Sequence, residues 1–249
     1  VLGSGTSGGI PMIGCTCKVC SSNDLHDKRL RSSILIQVSG QNYAIDVGPD
    51  FRQQMLREQI SQLDAIIFTH PHRDHTAGLD DVRAFNFFQK KPMDLYLTEA
   101  VEASIRKEYH YVFDGGWYPG LPELRFFNIT NRPFYIGETK LQPVEVMHHK
   151  MAVFGYRIQN FCYITDANYI SDIEKEKLKN VKVLIINALR KETHMSHFNL
   201  TEALALIDEV KPEMAYLTHI SHQMGLHADI SQELPHNVQL AYDGLKIEL

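Results

Sequence analysis

The chain has 249 residues, a formal net charge of −5, and 44% hydrophobic and 22% charged residues. That balance is ordinary for a folded globular protein and excludes disordered, collagen-like and coiled-coil classes. No apolar run approaches the ~20 residues of a membrane-spanning helix. The acidic excess also speaks against a sequence-indifferent nucleic-acid binder, which needs a basic stripe to neutralise phosphates.

The opening Val1-Leu2-Gly3-Ser4-Gly5 has neither a basic segment nor a long apolar stretch. It reads as the start of a strand, and a soluble cytoplasmic protein is expected. Gly3-Ser4-Gly5-Thr6-Ser7-Gly8 matches dinucleotide-binding spacing, but Gly9-Ile10-Pro11 stands where that fold needs a helix to open. These glycines therefore read as a tight loop. Behind them, Cys15-Thr16-Cys17-Lys18-Val19-Cys20 gathers three of the four cysteines. The spacing is too tight for mutual disulfides and suits a metal. Tetrahedral zinc wants a fourth ligand, for which His222 and His227 are the candidates.

Short apolar runs predict strands at 34–36, 43–45, 65–68, 161–164, 183–186 and 214–217. Helical patterns fall at 51–59, 98–108, 171–179 and 200–210. The last has a start signal, Asn199 with Glu202 three residues on. Segment 83–127 is aromatic, with Phe85, Phe87, Phe88, Tyr96, Tyr109, Tyr111, Phe113, Trp117 and Tyr118. These are expected in the core or a subunit interface, with some on the Gly115-Gly116 loop able to cap a pocket. With no repeat or linker, the chain reads as one α/β domain over 1–249.

The polar residues that end the predicted strands carry the functional signal. Asp46, His70, Asp166, Asn187 and His219 each follow a buried run, and α/β sheets build sites outside the carboxyl ends of their strands. The densest cluster is His70-Pro71-His72-Arg73-Asp74-His75. Four ligand-type side chains in six residues cannot all be satisfied as core residues. Imidazole with carboxylate suits zinc, manganese or iron.

His-x-His-x-Asp-His after a strand resembles the metallo-β-lactamase superfamily, and the resemblance runs the length of the chain. It implies an αββα sandwich, with two mixed sheets packed face to face and helices outside. The family's third histidine motif matches Val146-Met147-His148-His149, ahead of Phe154-Gly155-Tyr156; His148 is the better match, His149 the alternative. Its bridging carboxylate matches Asp166, and its last histidine His219. The resemblance thus implies one metal at His70, His72 and His148, a second at Asp74, His75 and His219, and Asp166 between them.

His194-Met195-Ser196-His197-Phe198 is similar to a segment found before a helix in the phosphodiesterase branches, where one histidine is a general acid. His197, next to the capped helix, is the better match and His194 the bystander. Cys15, Cys17, Cys20 and His222 resemble the structural zinc site of carbon–phosphorus lyase phosphodiesterases; pyrroloquinoline quinone biosynthesis B proteins have a similar cysteine cluster. A binuclear metal-dependent phosphodiesterase is therefore implied, with Asp74 and His197 catalytic and a small, cyclic-type phosphodiester as substrate. Its two active-site ions would be manganese, zinc or iron, and it would carry one structural zinc. A homodimer is implied by resemblance alone. The alternatives are a tRNA 3′-processing-type endonuclease, whose long basic insertion is missing here, and a metal-dependent oxidoreductase.

Overall fold

The computed structural model describes residues 1–115, 118 and 120–249. Gly116 and Trp117, named in the aromatic segment above, lie outside the described residues. The chain divides into two compact units. A mid-chain unit comprises Ser33–Thr130 with Leu2, and a terminal unit comprises Gly3–Ser32 and Asn131–Leu249 with Val1.

The mid-chain sheet runs β1 (Ile34–Val38), β2 (Gln41–Ile45), β3 (Ala65–Ile67), β4 (Met93–Leu97) and β5 (Leu124–Asn128), in that spatial order. β1 and β2 form an antiparallel hairpin through Ser39 and Gly40, both at positive φ, the backbone a two-residue hairpin turn requires. The remaining pairs are parallel. Parallel neighbours need crossovers, supplied here by α1 (Phe51–Arg57), α2 (Arg73–Thr76), α3 (Arg83–Gln89), α4 (Glu99–Glu108) and α5 (His110–Phe113). Thr98 caps α4 by accepting from the Val101 amide. Ile66, Phe68, Leu95, Leu97, Val101 and Ile105 join one buried cluster.

Only part of the aromatic segment is core. Phe85 and Tyr109 are buried, whereas Phe87, Phe88, Tyr111 and Tyr118 are exposed. The short α3 turns one face inward, which leaves Phe87 outside under the Lys90 ammonium, 4.5 Å from the ring centroid.

The terminal unit holds β6 (Phe134–Ile136), β7 (Thr139–His148), β8 (Met151–Ile158), β9 (Phe161–Ile164), β10 (Val183–Asn187), β11 (Met214–Thr218) and β12 (Val238–Leu240). They are ordered β12-β11-β10-β9-β8-β7-β6. β9 to β12 pair in parallel and β6 to β9 antiparallel. Its helices are α6 (Asp172–Lys175), α7 (Leu200–Val210) and α8 (His227–Glu233). At α7 the capping box forms: Asn199 accepts from the Glu202 amide and Glu202 from the Asn199 amide. Leu200, Ala203, Leu206 and Ile207 then face the core, each Leu or Ile contributing roughly 1.5–3 kcal/mol by burial.

Two expectations change here. The helix placed at 171–179 is α6 followed by a 3₁₀ turn over Glu176–Leu178. The chain start makes isolated bridges at Gly5, to Arg31 and to Ile220, instead of a strand, because a run so rich in glycine has few side chains to pack on a pleated surface. Among the described residues, no helix is long and apolar enough to cross a membrane.

Candidate metal centres

In the mid-chain unit, β3 delivers Phe68-Thr69-His70, and α2 begins three residues after His70, with His72 as its N-terminal flank. His70 and His75 are buried and His72 is exposed. His70 Nε2 lies 3.1 Å from His72 Nδ1, and His75 Nε2 lies 3.3 Å from Asp74 Oδ2. Gly78 lets the turn after α2 close: a Cβ there would stand 2.1 Å from the Gly48 carbonyl oxygen.

Behind the histidines stands Asp46, one of the strand-end residues in which the sequence places the functional signal, without assigning it a role. Asp46 is fully buried; its Oδ2 accepts from His75 Nδ1 at 2.7 Å and from the Thr69 hydroxyl at 2.8 Å, and Oδ1 accepts from the Thr69 amide at 2.9 Å. Burial pushes the Asp46 carboxyl up, opposed by the His75 imidazole. Donation from Nδ1 leaves the His75 Nε2 lone pair for a cation, the arrangement by which a carboxylate orients a metal-binding histidine. We expect Asp46→Asn to weaken manganese binding about 10–100-fold, read by titration calorimetry. Unchanged affinity would remove Asp46 from the site.

In the terminal unit, Thr165-Asp166 follow the end of β9, β10 ends at Asn187, and β11 ends just before His219. The two carboxylate oxygens of Asp166 face different imidazoles: Oδ1 is 3.0 Å from His219 Nδ1 and Oδ2 is 3.4 Å from His197 Nε2. The Thr165 hydroxyl donates to Oδ1 at 2.7 Å. Asn187 fixes the turn that follows, accepting from the Ala167 amide at 2.8 Å and donating to its carbonyl at 2.9 Å. Asp46, Asp166 and His219 all have left-handed backbone, with φ of 63°, 54° and 55°. Such conformations cost about 1–3 kcal/mol each and persist where surrounding contacts enforce them.

His148 is buried at the end of β7, and its Nδ1 donates to the Ser196 carbonyl at 2.8 Å, which leaves Nε2 as the ligand atom. His149 is exposed in the β7–β8 turn. His194, read from sequence as a bystander, sits with its Nδ1 3.1 Å from His197 Nδ1 and 3.3 Å from the Ser196 hydroxyl. Burial and the neighbouring His197 hold the His194 imidazole below its usual range.

The cysteine loop makes a separate centre within the terminal unit. Cys15 Sγ and Cys17 Sγ each lie 3.3 Å from His222 Nδ1, and the four ligand atoms including Cys20 all lie within 4.8 Å of one another. Zinc bonds of about 2.3 Å to sulfur and 2.0–2.1 Å to nitrogen set ligands about 3.6 Å apart, so the cluster fits a tetrahedral ion. The Cys20 and Met12 amides point at the Cys17 and Cys20 sulfurs, both at 3.4 Å. The Cys20 amide and His222 pull the Cys17 thiol down to about 6, while burial pushes Cys20 up to about 11. A bound cation would offset that penalty on the Cys20 thiolate. His227 stands apart, stacked on His26 with ring centroids 4.7 Å apart, its Nδ1 3.1 Å from the Arg29 guanidinium.

Histidines and aspartates delivered by strand ends, within two mixed sheets carrying helices, define a metallo-β-lactamase fold with candidate metal ligands. The beta-lactamase superfamily domain matches residues 41–220, and the chain belongs to that superfamily. It is 38% identical to a solved diphosphatase of the PhnP family, with a TM-score of 0.94 covering 100% of this chain and 96% of that one. An octanoyltransferase of Porphyromonas gingivalis is 39% identical over 99% of this chain but 50% of its own length, so the chain spans about half of that curated relative. Zinc-bound PqqB from Methylobacterium extorquens shares the fold at 20% identity and a TM-score of 0.80, covering 100% of this chain and 98% of that one. The short form of human tRNase Z does so at 16% and 0.73, covering 99% and 97%.

Proposed function

We propose that the chain is a binuclear metal-dependent phosphodiesterase acting on a small phosphodiester. The observation that carries it is Asp166, whose two oxygens face separate imidazoles and whose charge suits a carboxylate shared by two cations. In this reading both units serve one hydrolase domain over 1–249. The mid-chain unit offers His70, His72, Asp74 and His75 as ligands for divalent ions, and the terminal unit offers His148, Asp166 and His219. The donor set fits manganese, zinc or iron. Cys15, Cys17, Cys20 and His222 hold a structural zinc, because four protein ligands leave no position for water.

When bound, the paired ions supply an activated water and neutralise charge on the phosphoryl oxygens. The chain's own residues do the rest. Asp46 and the Ser196 carbonyl fix the tautomers of His75 and His148, so that each presents a lone pair. His197 holds a proton at Nε2 for the departing oxygen, with its other nitrogen braced by Ser196 and His194. On this basis His197→Ala should slow diesters with alkyl leaving groups about 10²–10⁴-fold and p-nitrophenyl diesters much less. Equal slowing of both would remove the proton-donor role.

The solved PhnP-family diphosphatase supports phosphorus chemistry and brings phosphoanhydrides into the substrate search. The acyl transfer named for the Porphyromonas gingivalis relative belongs to a protein twice as long. The deciding assay is hydrolysis of bis(p-nitrophenyl) phosphate after separate manganese, zinc and iron loading, with p-nitrophenyl octanoate as the counter-substrate and metal counted in each sample. Diester turnover with two exchangeable ions and one retained zinc is expected. Octanoate turnover alone would overturn the assignment.

A further inference from the structure

Two short segments of the terminal unit join the cysteine cluster to His219: one carries the three cysteines and a hydroxyl placed on His219, the other carries His219 and His222. One runs from Gly5 to Cys20: the Thr6 hydroxyl lies 3.2 Å from His219 Nε2, and Cys15, Cys17 and Cys20 follow. The other is 219–222, which begins with His219 and ends with His222. The segments are laced at one end by a parallel bridge between Gly5 and Ile220. There the Thr6 amide donates to the Ile220 carbonyl at 3.0 Å and the Ile220 amide donates to the Ser4 carbonyl at 2.9 Å. Gly5 is held closely by the segment beside it: a Cβ there would stand 2.9 Å from both the Arg29 Cβ and its carbonyl oxygen. At the other end, Cys15 and Cys17 close on His222. Between the two fastenings, His219 holds its left-handed backbone and sets Nδ1 3.2 Å from the Ser32 hydroxyl and 3.0 Å from Asp166.

We propose that the Cys15, Cys17, Cys20 and His222 cluster is a positioning device for the catalytic metal pair: by tying the cysteine loop to His222 it fixes the 219–222 turn and aims His219 at Asp166. The inference rests on reading the cluster as a zinc site, and it assigns that zinc a task beyond holding a loop. Released from His222, the turn keeps one fastening, and His219 loses the constraint that enforces its backbone. Metal affinity at the Asp166–His219 pair then falls, while that of the other ion changes less.

The test uses the whole chain, as wild type, Cys17→Ser and Gly5→Ala. Zinc is counted by mass spectrometry, and the weaker manganese site is titrated by electron paramagnetic resonance, which also reads the coupling between two manganese ions. Cys17→Ser is expected to lose one zinc, bind the weaker manganese at least ~10-fold less tightly, as when a supporting contact is lost, and show a diminished coupled signal. Gly5→Ala, which leaves every ligand in place, is expected to keep its zinc and shift manganese affinity in the same direction. Loss of zinc with wild-type manganese affinity would overturn the coupling and leave the zinc site standing. Wild-type protein with no tightly held zinc would instead overturn the zinc reading itself. Should Cys17→Ser not fold, Cys15→Ser at the other half-buried cysteine decides: lost zinc with unchanged manganese affinity overturns the proposal.

Discussion

Replacing Asp166 by asparagine should cut diester turnover by at least ~10³-fold, about 4 kcal/mol of transition-state stabilisation, while the protein stays folded. Asparagine matches aspartate in shape and tolerates left-handed backbone, so the turn after β9 survives. The hydroxyl of Thr165 still finds an acceptor, and Asn187 still clamps Ala167. What disappears is one negative charge, placed where two imidazoles converge and where a shared carboxylate would balance two cations. Metal counting and bis(p-nitrophenyl) phosphate hydrolysis on one sample check this, with circular dichroism as the fold control. A variant that loses structure in step with activity would recast Asp166 as a structural carboxylate, and wild-type turnover would refute the bridging role.

The second large effect falls on stability. A ligand present at a thousand times its dissociation constant contributes about 4.1 kcal/mol, and a chain of this size shifts about 2–4 °C per kcal/mol. Cys17→Ser, with catalytic metals saturating, should therefore melt about 8–16 °C lower than wild type. The difference depends on pH with a definite sign. Zinc needs thiolates, and burial raises Cys20 to about 11, so binding must displace its proton across the neutral range. The stabilisation is thus greatest at high pH and shrinks as pH falls, further still below about 6, where Cys17 also protonates. Scanning calorimetry of both proteins at several pH values tests this; identical melting temperatures at pH 8 would refute a structural zinc.

Much of this was legible in the sequence because chemistry and periodicity coincide. The predicted strands at 43–45, 65–68, 161–164 and 214–217 are continuous apolar runs closed by polar residues, and the histidine cluster follows one of them directly. What escaped depends on contacts distant in sequence or on mixed patterns. Asp46 gains its role from Thr69 and His75, 23 and 29 residues onward. His194 becomes His197's neighbour only through the curl of the loop before α7. β4 alternates Met93-Asp94-Leu95-Tyr96-Leu97, so a search for apolar runs passes over it. β7 contains Pro143, a residue that argues against a strand interior, yet Pro143 stands opposite Tyr156 in the ladder that pairs Gln142–His148 with β8.

The terminal unit is drawn from both ends of the chain, and this bears on how the protein is made. The mid-chain histidines and Asp46 follow one another within 30 residues, so their half of the ligand set emerges from a ribosome together. Cys15, Cys17 and Cys20 instead wait for His222, some 200 residues later. At about 5–20 residues per second the wait lasts roughly 10–40 s. Throughout it the three thiols lack their histidine, and the nascent chain is at its most sensitive to oxidants and to competing soft metals. Expression under reducing, zinc-replete conditions should accordingly govern the yield of active protein more than temperature does.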